Sequence, residues 1–309
     1  MSLLHIPALL VSYARKDNIL NLVDQFFKIS DSTLYIHIDK AKSSKIGEIQ
    51  SELKNSLFKH ENRNRIMILE TTNNLGVKRA VISALDWFFE SEDFGVIIED
   101  DLKLTTDFYE FVDMNKQLLY DDESILMLSG NKLFNDNQNY FATFTNYPQI
   151  WGWATTRKNW LMLKKAYAEV DFYKKSKIRF RVKQFWKIGS WRVKCGKLDT
   201  WDIPIARYML MENKYCLLPN ENLVENIGDD EFASHTKEFT QNLTLNLGAL
   251  TNYKGLTTED RYSVSKKINR ILEDDVFKIK FKHSFLFLVL FFETIILKLK
   301  KLFITTKVP

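Results

Sequence analysis

Cysteine is nearly absent: Cys195 and Cys216 are the only two in 309 residues. That excludes a disulfide-built scaffold and any cysteine-based zinc spacing. A secretory signal is also missing, because the first apolar run, Ile6–Val11, is short and lacks the usual flanks; it reads as a core strand. These two absences together lead us to expect a reducing, cytoplasmic setting. Glycine is missing where phosphate loops need it. There is no P-loop and no dinucleotide-binding glycine pattern. There is no Gly-x-Ser-x-Gly nucleophile elbow either. No internal repeat and no low-complexity linker divides the chain. The net charge of +5 is too small to mark a nucleic-acid binder.

The chain does contain 45% hydrophobic and 27% charged residues, which are globular values. Aromatics reach 14%, with 23 Phe, and serve burial, stacking on sugars or bases, or membrane interfaces equally well. Charge is unevenly spread. Residues 174–197 hold ten Lys or Arg and no Asp or Glu, interleaved with Phe180, Phe185, Trp186 and Trp191, and the last 33 residues are also basic. Ser284–Leu297 is apolar apart from Glu293 and small hydroxyl residues. As a helix it is about 21 Å long, short of the roughly 30 Å of a bilayer core. A core or interface helix is one reading. The other is a helix lying in the membrane surface with Lys298, Lys300 and Lys301 near lipid phosphates.

The first 130 residues alternate strand and helix patterns. Strands are predicted at Ile6–Val11, Thr33–Ile38, Ile66–Leu69, Gly95–Ile98 and Ser124–Leu128. Helices are predicted at Ile19–Ile29, Ile46–Phe58, Val77–Phe89, Thr106–Leu119, from near Arg157, and at Asp202–Glu212. The alternation predicts an α/β fold with a mostly parallel sheet covered by helices on both faces. Residues 1–240 read as one domain, with 1–130 binding one substrate and 131–240 completing the site. Residues 241–309 read as a basic, amphipathic helical extension. In such sheets ligands bind beyond the carboxyl ends of the strands.

Glu99-Asp100-Asp101 directly follows the apolar Val96–Ile98. One reading is a solvated acidic turn. At the carboxyl edge of a buried strand, however, three adjacent carboxylates repel unless a cation neutralises them. Mg2+ commonly takes one or two carboxylates plus substrate phosphates. Asp39 ends an earlier strand and serves either as a base or ribose acceptor or as a strand-end turn residue. Asp202 is either a proton acceptor for an attacking hydroxyl or a helix cap near Pro204. His235 is either a surface residue or a phosphate or metal contact.

The ordered motifs resemble GT-A (Rossmann-like) glycosyltransferases related to N-acetylglucosaminyltransferase I, and more closely bacterial nucleotide-diphospho-sugar transferases. The pieces are Leu9–Arg15, Ile36–Asp39, Asn74–Arg79, Val96–Leu102, Leu128–Asn131, Trp151–Thr155, Trp201-Asp202 and Asn222–Gly228 leading to Ser234-His235-Thr236. The resemblance covers residues 6–237. It implies Asp101 as ligand of Mn2+ or Mg2+, with Glu99 and Asp100 touching donor sugar and ribose. Arg15, Asp39, Lys78 and Arg79 are placed on the donor side, and Ser234-His235 in a loop closing over the diphosphate. Asp202 matches the catalytic base, and Trp151, Gly152, Trp153 and Trp201 the acceptor side. Ile203-Pro204 and Thr156 depart from the pattern and bear on the acceptor. The implied activity is inverting transfer from a nucleotide sugar, with UDP the expected nucleotide, to a glycan or lipid-linked glycan. Bacterial surface polysaccharide or lipo-oligosaccharide assembly fits this, with the enzyme peripheral on the inner face of the cytoplasmic membrane. The alternatives are a sugar nucleotidyltransferase, against which the glycine-free Ser12–Lys16 loop weighs, and a non-catalytic glycan-binding protein.

Overall fold

The computed structural model describes residues 3–134, 142–168, 178–228, 261–279 and Phe292. Ser234, His235 and the apolar Ser284–Leu297 stretch, apart from Phe292, lie outside the described residues. The apolar runs become strands and the 3.6-residue stripes become helices. In chain order these are β1 (Ala8–Ser12), α1 (Lys16–Ile29), β2 (Leu34–Ile38), α2 (Ser44–Phe58), β3 (Ile66–Glu70), α3 (Val77–Ser91) and β4 (Phe94–Glu99). Next come β5 (Leu102–Leu104), α4 (Thr106–Asn115), α5 (Leu118–Asp121), β6 (Ile125–Ser129), β7 (Ala142–Thr145), β8 (Trp153–Thr156) and α6 (Arg157–Ala168). The remainder are α7 (Phe180–Lys194), α8 (Asp202–Met211), β9 (Tyr215–Pro219), β10 (Val224–Asn226) and α9 (Arg261–Ile271).

Eight strands form one sheet in the order β3-β2-β1-β4-β8-β6-β9-β7. β3, β2, β1 and β4 run parallel, as do β6 and β9, while β8 and β7 run against their neighbours. The sheet is thus mostly parallel, as the alternation predicts. Strand side chains alternate between its two faces. Ala8, Leu10, Val96 and Ile98 join α1, α2 and α4 in one apolar cluster, whereas Leu9 and Ile97 join α3, α6, α7 and α8 in another. Both faces are therefore covered, and the continuous apolar character of β1 and β4 follows from that.

Three differences from the sequence reading have local causes. The predicted helix Thr106–Leu119 breaks after Asn115, whose Nδ2 donates to the Phe111 carbonyl at 2.7 Å and so competes with the helix ladder. The basic segment contains a helix, α7, that buries Val182, Trp186, Ile188 and Val193. Part of its charge is met within the chain, since Arg179 pairs with Glu273 and Asp274, and Arg181 with Asp274. Within the expected extension, Ile268, Leu272 and Ile279 are buried in the second cluster, and the Tyr147 hydroxyl donates to Glu273 at 2.7 Å. Among the described residues no helix is long and apolar enough to cross a membrane.

Gly95 sets how closely α3 approaches β4. A Cβ there would lie 2.3 Å from Phe88 Cζ and 2.8 Å from the Pro7 carbonyl oxygen, which belongs to the backbone. Gly95→Ala is expected to destabilise the protein by about 1–3 kcal/mol, read as a lowered urea midpoint with an unchanged slope.

Candidate active site

The carboxyl ends of β1, β2 and β4 open into a pocket of about 280 Å3, closed on one side by the first turns of α3. Tyr13, Arg15, Asp39, Gly76, Val77 and all three members of the acidic triplet line it. The sheet edge predicted from strand order is the one that carries the carboxylates.

The triplet is divided among three sets of partners. Asp100 turns back to the loop after β1. Its Oδ2 accepts from the Tyr13 and Ala14 amides at 2.7 and 3.3 Å, and its Oδ1 from Arg15 Nη1 at 2.8 Å. Both side chains of that ion pair are largely buried, at 13% and 8% exposure. Asn18 Nδ2 donates to the Asp100 and Leu102 carbonyls, tying α1 to the same turn. Asp101 meets β10 instead. Asn226 Nδ2 lies 3.3 Å from its Oδ2, and the Ile227 amide donates to its carbonyl at 2.8 Å. A Cβ on Gly228 would stand 2.7 Å from Asp101 Oδ2, so a glycine is needed for this close approach. Burial, reinforced by the Asp100 charge, pushes Asp101 from an ordinary 3.8 up to about 6. Glu99 is also raised well above its usual range, first by burial and then by the charges of Asp101, Asp100 and Asp202.

Asp39 is 6% exposed and fully engaged by its own chain. It accepts from Thr71 Oγ1, Asn74 Nδ2 and the amides of Leu75 and Gly76 at 2.8–3.2 Å. Of the two readings offered for Asp39, these bonds support the strand-end anchor. Lys78 and Arg79 are not in this pocket: Lys78 lines a second cavity against α7 and α8, and Arg79 is exposed beside a third. The start of α3 is capped from far away. Asp199 accepts from the Val77 and Lys78 amides at 3.0 and 3.1 Å, in place of a local side-chain cap that Gly76 cannot supply.

Asp202 is the first residue of α8, and Trp201 occupies the cap position. The carboxylate accepts from the Thr200 hydroxyl rather than capping the helix end, and its charge favours the helix N-terminus. Trp153 and Trp201, at 0% and 2% exposure, stack on each other at 5.6 Å inside the core. Rings sealed in the core in this way offer no surface to an acceptor in this structure, and neither lines the acidic pocket. Gly152 has φ +59°, and a Cβ there would press on Val224 at 2.9 Å. It is buried, and its carbonyl accepts from the Gly130 amide at 2.7 Å. Of the acceptor-side residues expected, Trp151 alone keeps partial exposure. Three contributors were not singled out from sequence. Asn226 and Gly228 fall within a matched motif but carried no chemistry, and Asp199 stands 122 residues from the amide it caps.

No family model matches the sequence, and no curated protein matches it. Among solved structures, apo UDP-glucose pyrophosphorylase superposes with a TM-score of 0.40 at 9% identity, over 70% of this chain and 90% of that one. Mannose-1-phosphate geranyltransferase from Thermus thermophilus gives 0.37 at 8%, over 70% and 74%. The apo-form glycosyltransferase GlyE of Streptococcus pneumoniae gives 0.26 at 10%, over 75% and 57%. Scores this low leave the chemistry to the site itself.

The raised Asp101 has a thermodynamic consequence. Between its ordinary value of 3.8 and its folded value of about 6 the native chain holds a proton that the unfolded chain has released. This group's share of stability is therefore complete below the ordinary value and is lost as pH rises through the folded one. Asp101→Asn is expected to raise the melting temperature at pH 7.5 without divalent cations. It should also flatten the pH dependence of stability between pH 4 and 6, as followed by thermal denaturation across that window.

Proposed function

We propose that the protein is an inverting glycosyltransferase that binds a nucleoside-diphosphate sugar through a divalent cation at Asp101. The observation that carries this reading is the acidic pocket, where Asp101 is left facing the cavity while Asp100 is spent on the Tyr13–Arg15 loop. The donor set fits a hard cation held through few protein ligands. Among the described residues no group of three or more His, Cys, Asp or Glu side chains is poised for a metal, so one carboxylate would share the ion with substrate phosphates and water. Mn2+ or Mg2+ would supply charge neutralisation for the departing diphosphate.

The remaining chemistry belongs to the chain. Asp202 takes the proton of the acceptor hydroxyl as the new carbon–oxygen bond forms and the bond to the diphosphate breaks on the opposite face. Its charge bears on Glu99, which lines the pocket. Arg15 is held at the pocket wall by Asp100. The glycine-free Ser12–Lys16 loop has its Tyr13 and Ala14 amides already bonded to Asp100. Such a loop suits a diphosphate reached through a cation better than a triphosphate wrapped in backbone amides. The proposal includes a lipid-linked or glycan acceptor near a membrane surface, supported by the basic residues of 174–197 and of the last 33 residues.

Product analysis tests the reaction class. Incubation with UDP-, GDP-, CMP- and dTDP-sugars is expected to give metal-dependent binding of a UDP-sugar and release of UDP. Release of pyrophosphate from a nucleoside triphosphate and a sugar phosphate would establish nucleotidyl transfer instead, the activity that the name of the solved UDP-glucose pyrophosphorylase states for that protein. Binding of a glycan but of no nucleotide sugar would make it a glycan-binding protein. Asp202→Asn should lower transfer by roughly 10^2 to 10^4-fold with UDP affinity nearly unchanged. Activity that survives both EDTA and Asp101→Ala would remove the metal from the proposal.

A further inference from the structure

The outward side of α7 has a uniform chemical character. Residues three, four and seven apart share one side of a helix. Phe180, Lys183, Gln184, Lys187, Trp191 and Lys194 are spaced in this way and keep exposed surface, while Val182, Trp186, Ile188 and Val193 are buried behind them. Val182 and Trp186 sit in the second apolar cluster with Ile205 and Met209 of α8, which fixes the stripe facing outward. Phe180 is 73% exposed, more than any other large apolar side chain among the described residues. Lys194 and, just past the helix, Lys197 are exposed, and Lys183 is half-buried. These three lysines form no ion pair among the described residues. Lys187 is engaged within the chain, as are Arg179 with Glu273 and Asp274 and Arg181 with Asp274. Residues 174–197 contain no carboxylate.

Ammonium groups without partners, on a side that has no carboxylate of its own, are attracted to a diffuse anionic surface. Exposed Phe and Trp rings suit the headgroup boundary of a bilayer, where apolar and wet surroundings meet. Phe180 and Trp191 stand eleven residues apart, about 16 Å along the helix. That separation gives two anchor points in a flat layer and is too long for stacking successive bases of a nucleic-acid strand. The stripe also ends at a useful place. Trp191 and Lys194 line the cavity that holds Lys78 and Pro204. Lys78 follows Val77 of the acidic pocket, and Pro204 lies two residues beyond Asp202.

We propose that the outward side of α7 docks on a bilayer with anionic headgroups. Lys183, Lys194 and Lys197 meet the lipid phosphates, and Phe180 and Trp191 enter the headgroup boundary. Docking there gives a lipid-linked acceptor a short approach to Asp202. That purpose rests on the glycosyltransferase reading; the docking itself does not.

The test sediments the full chain with vesicles of phosphatidylcholine, alone or mixed with phosphatidylglycerol. Binding is expected to the mixed vesicles and to weaken as salt rises. Replacing both lysines, Lys183→Gln with Lys194→Gln, should lower the affinity by about 25-fold, roughly fivefold for each lysine. Lys183→Arg with Lys194→Arg should retain it. Melting temperature and metal-dependent UDP affinity should be the same in both pairs. Brominated phosphatidylcholine should quench tryptophan fluorescence, and Trp191→Phe should remove that quenching. Equal binding to neutral vesicles would overturn the proposal. So would an unaltered affinity in the glutamine pair, which would place any lipid contact elsewhere in the chain. A single-stranded oligonucleotide bound more tightly than the mixed vesicles would make nucleic acid the occupant instead. Quenching that persists in Trp191→Phe would overturn the aromatic contact. If the mixed vesicles bind while no nucleotide sugar does, the docking surface stands and the donor reading falls. If a UDP-sugar binds with metal while the mixed vesicles do not, the donor reading stands and the docking falls.

Discussion

Three carboxylates in sequence at the end of a buried strand repel one another, and the architecture of the site follows from how that repulsion is resolved. Each is turned to a different neighbour. Asp100 is satisfied by two amides and the Arg15 guanidinium, forming a buried pair whose bonds define the loop after β1. Asp101 meets the β10 end, where Asn226 donates to it, and burial, reinforced by the Asp100 charge, makes its carboxyl reluctant to ionise. Glu99 faces the pocket with the charge of Asp202 nearby. Burying charge without full compensation is costly, and the three carboxylates meet that cost unequally.

The pocket walls are held by the same device used repeatedly. Asp100 grips the β1–α1 loop, Asp39 grips residues 71–76, and Asp199 grips the start of α3. Each is a carboxylate accepting backbone amides from a loop that has no glycine-rich nest of its own. Because Asp199 and Asp202 flank the same turn, the grip on α3 also sets where the candidate base stands. Tyr167 holds the other side of that turn through the Trp201 carbonyl. The acidic pocket and the cavity lined by Lys78 therefore meet at the start of α3, where Asp199 holds the amides of Val77 and Lys78.

Much of this was legible in the chain because it is local. The strands β1, β2, β3, β4 and β6 fall within two residues of the apolar runs, and α3 and α8 begin at the residues expected. The acidic triplet sits at the carboxyl end of β4 because strand and turn are contiguous in sequence. The elements that escaped are those whose identity depends on a partner. β5 is three residues long and exists through pairing with β10, more than a hundred residues away. α7 was masked by its basic residues, which alternate with the apolar stripe it buries.

The roles of individual side chains divide along the same line. The sequence by itself determined the doubly covered, mostly parallel sheet and the edge at which ligands would meet carboxylates, since hydrophobic period and strand–turn continuity are properties of neighbouring residues. Only the tertiary structure decided that Asp100 and Asp39 are occupied by backbone amides, that Trp153 and Trp201 stack in the core, and that Lys78 turns to a second cavity. Those outcomes depend on which distant groups satisfy each hydrogen bond and which surfaces are sealed from water. The pairing partners stand 85, 36 and 122 residues apart for Asp100 with Arg15, Asp39 with Leu75 and Asp199 with Val77, distances over which no sequence period carries information.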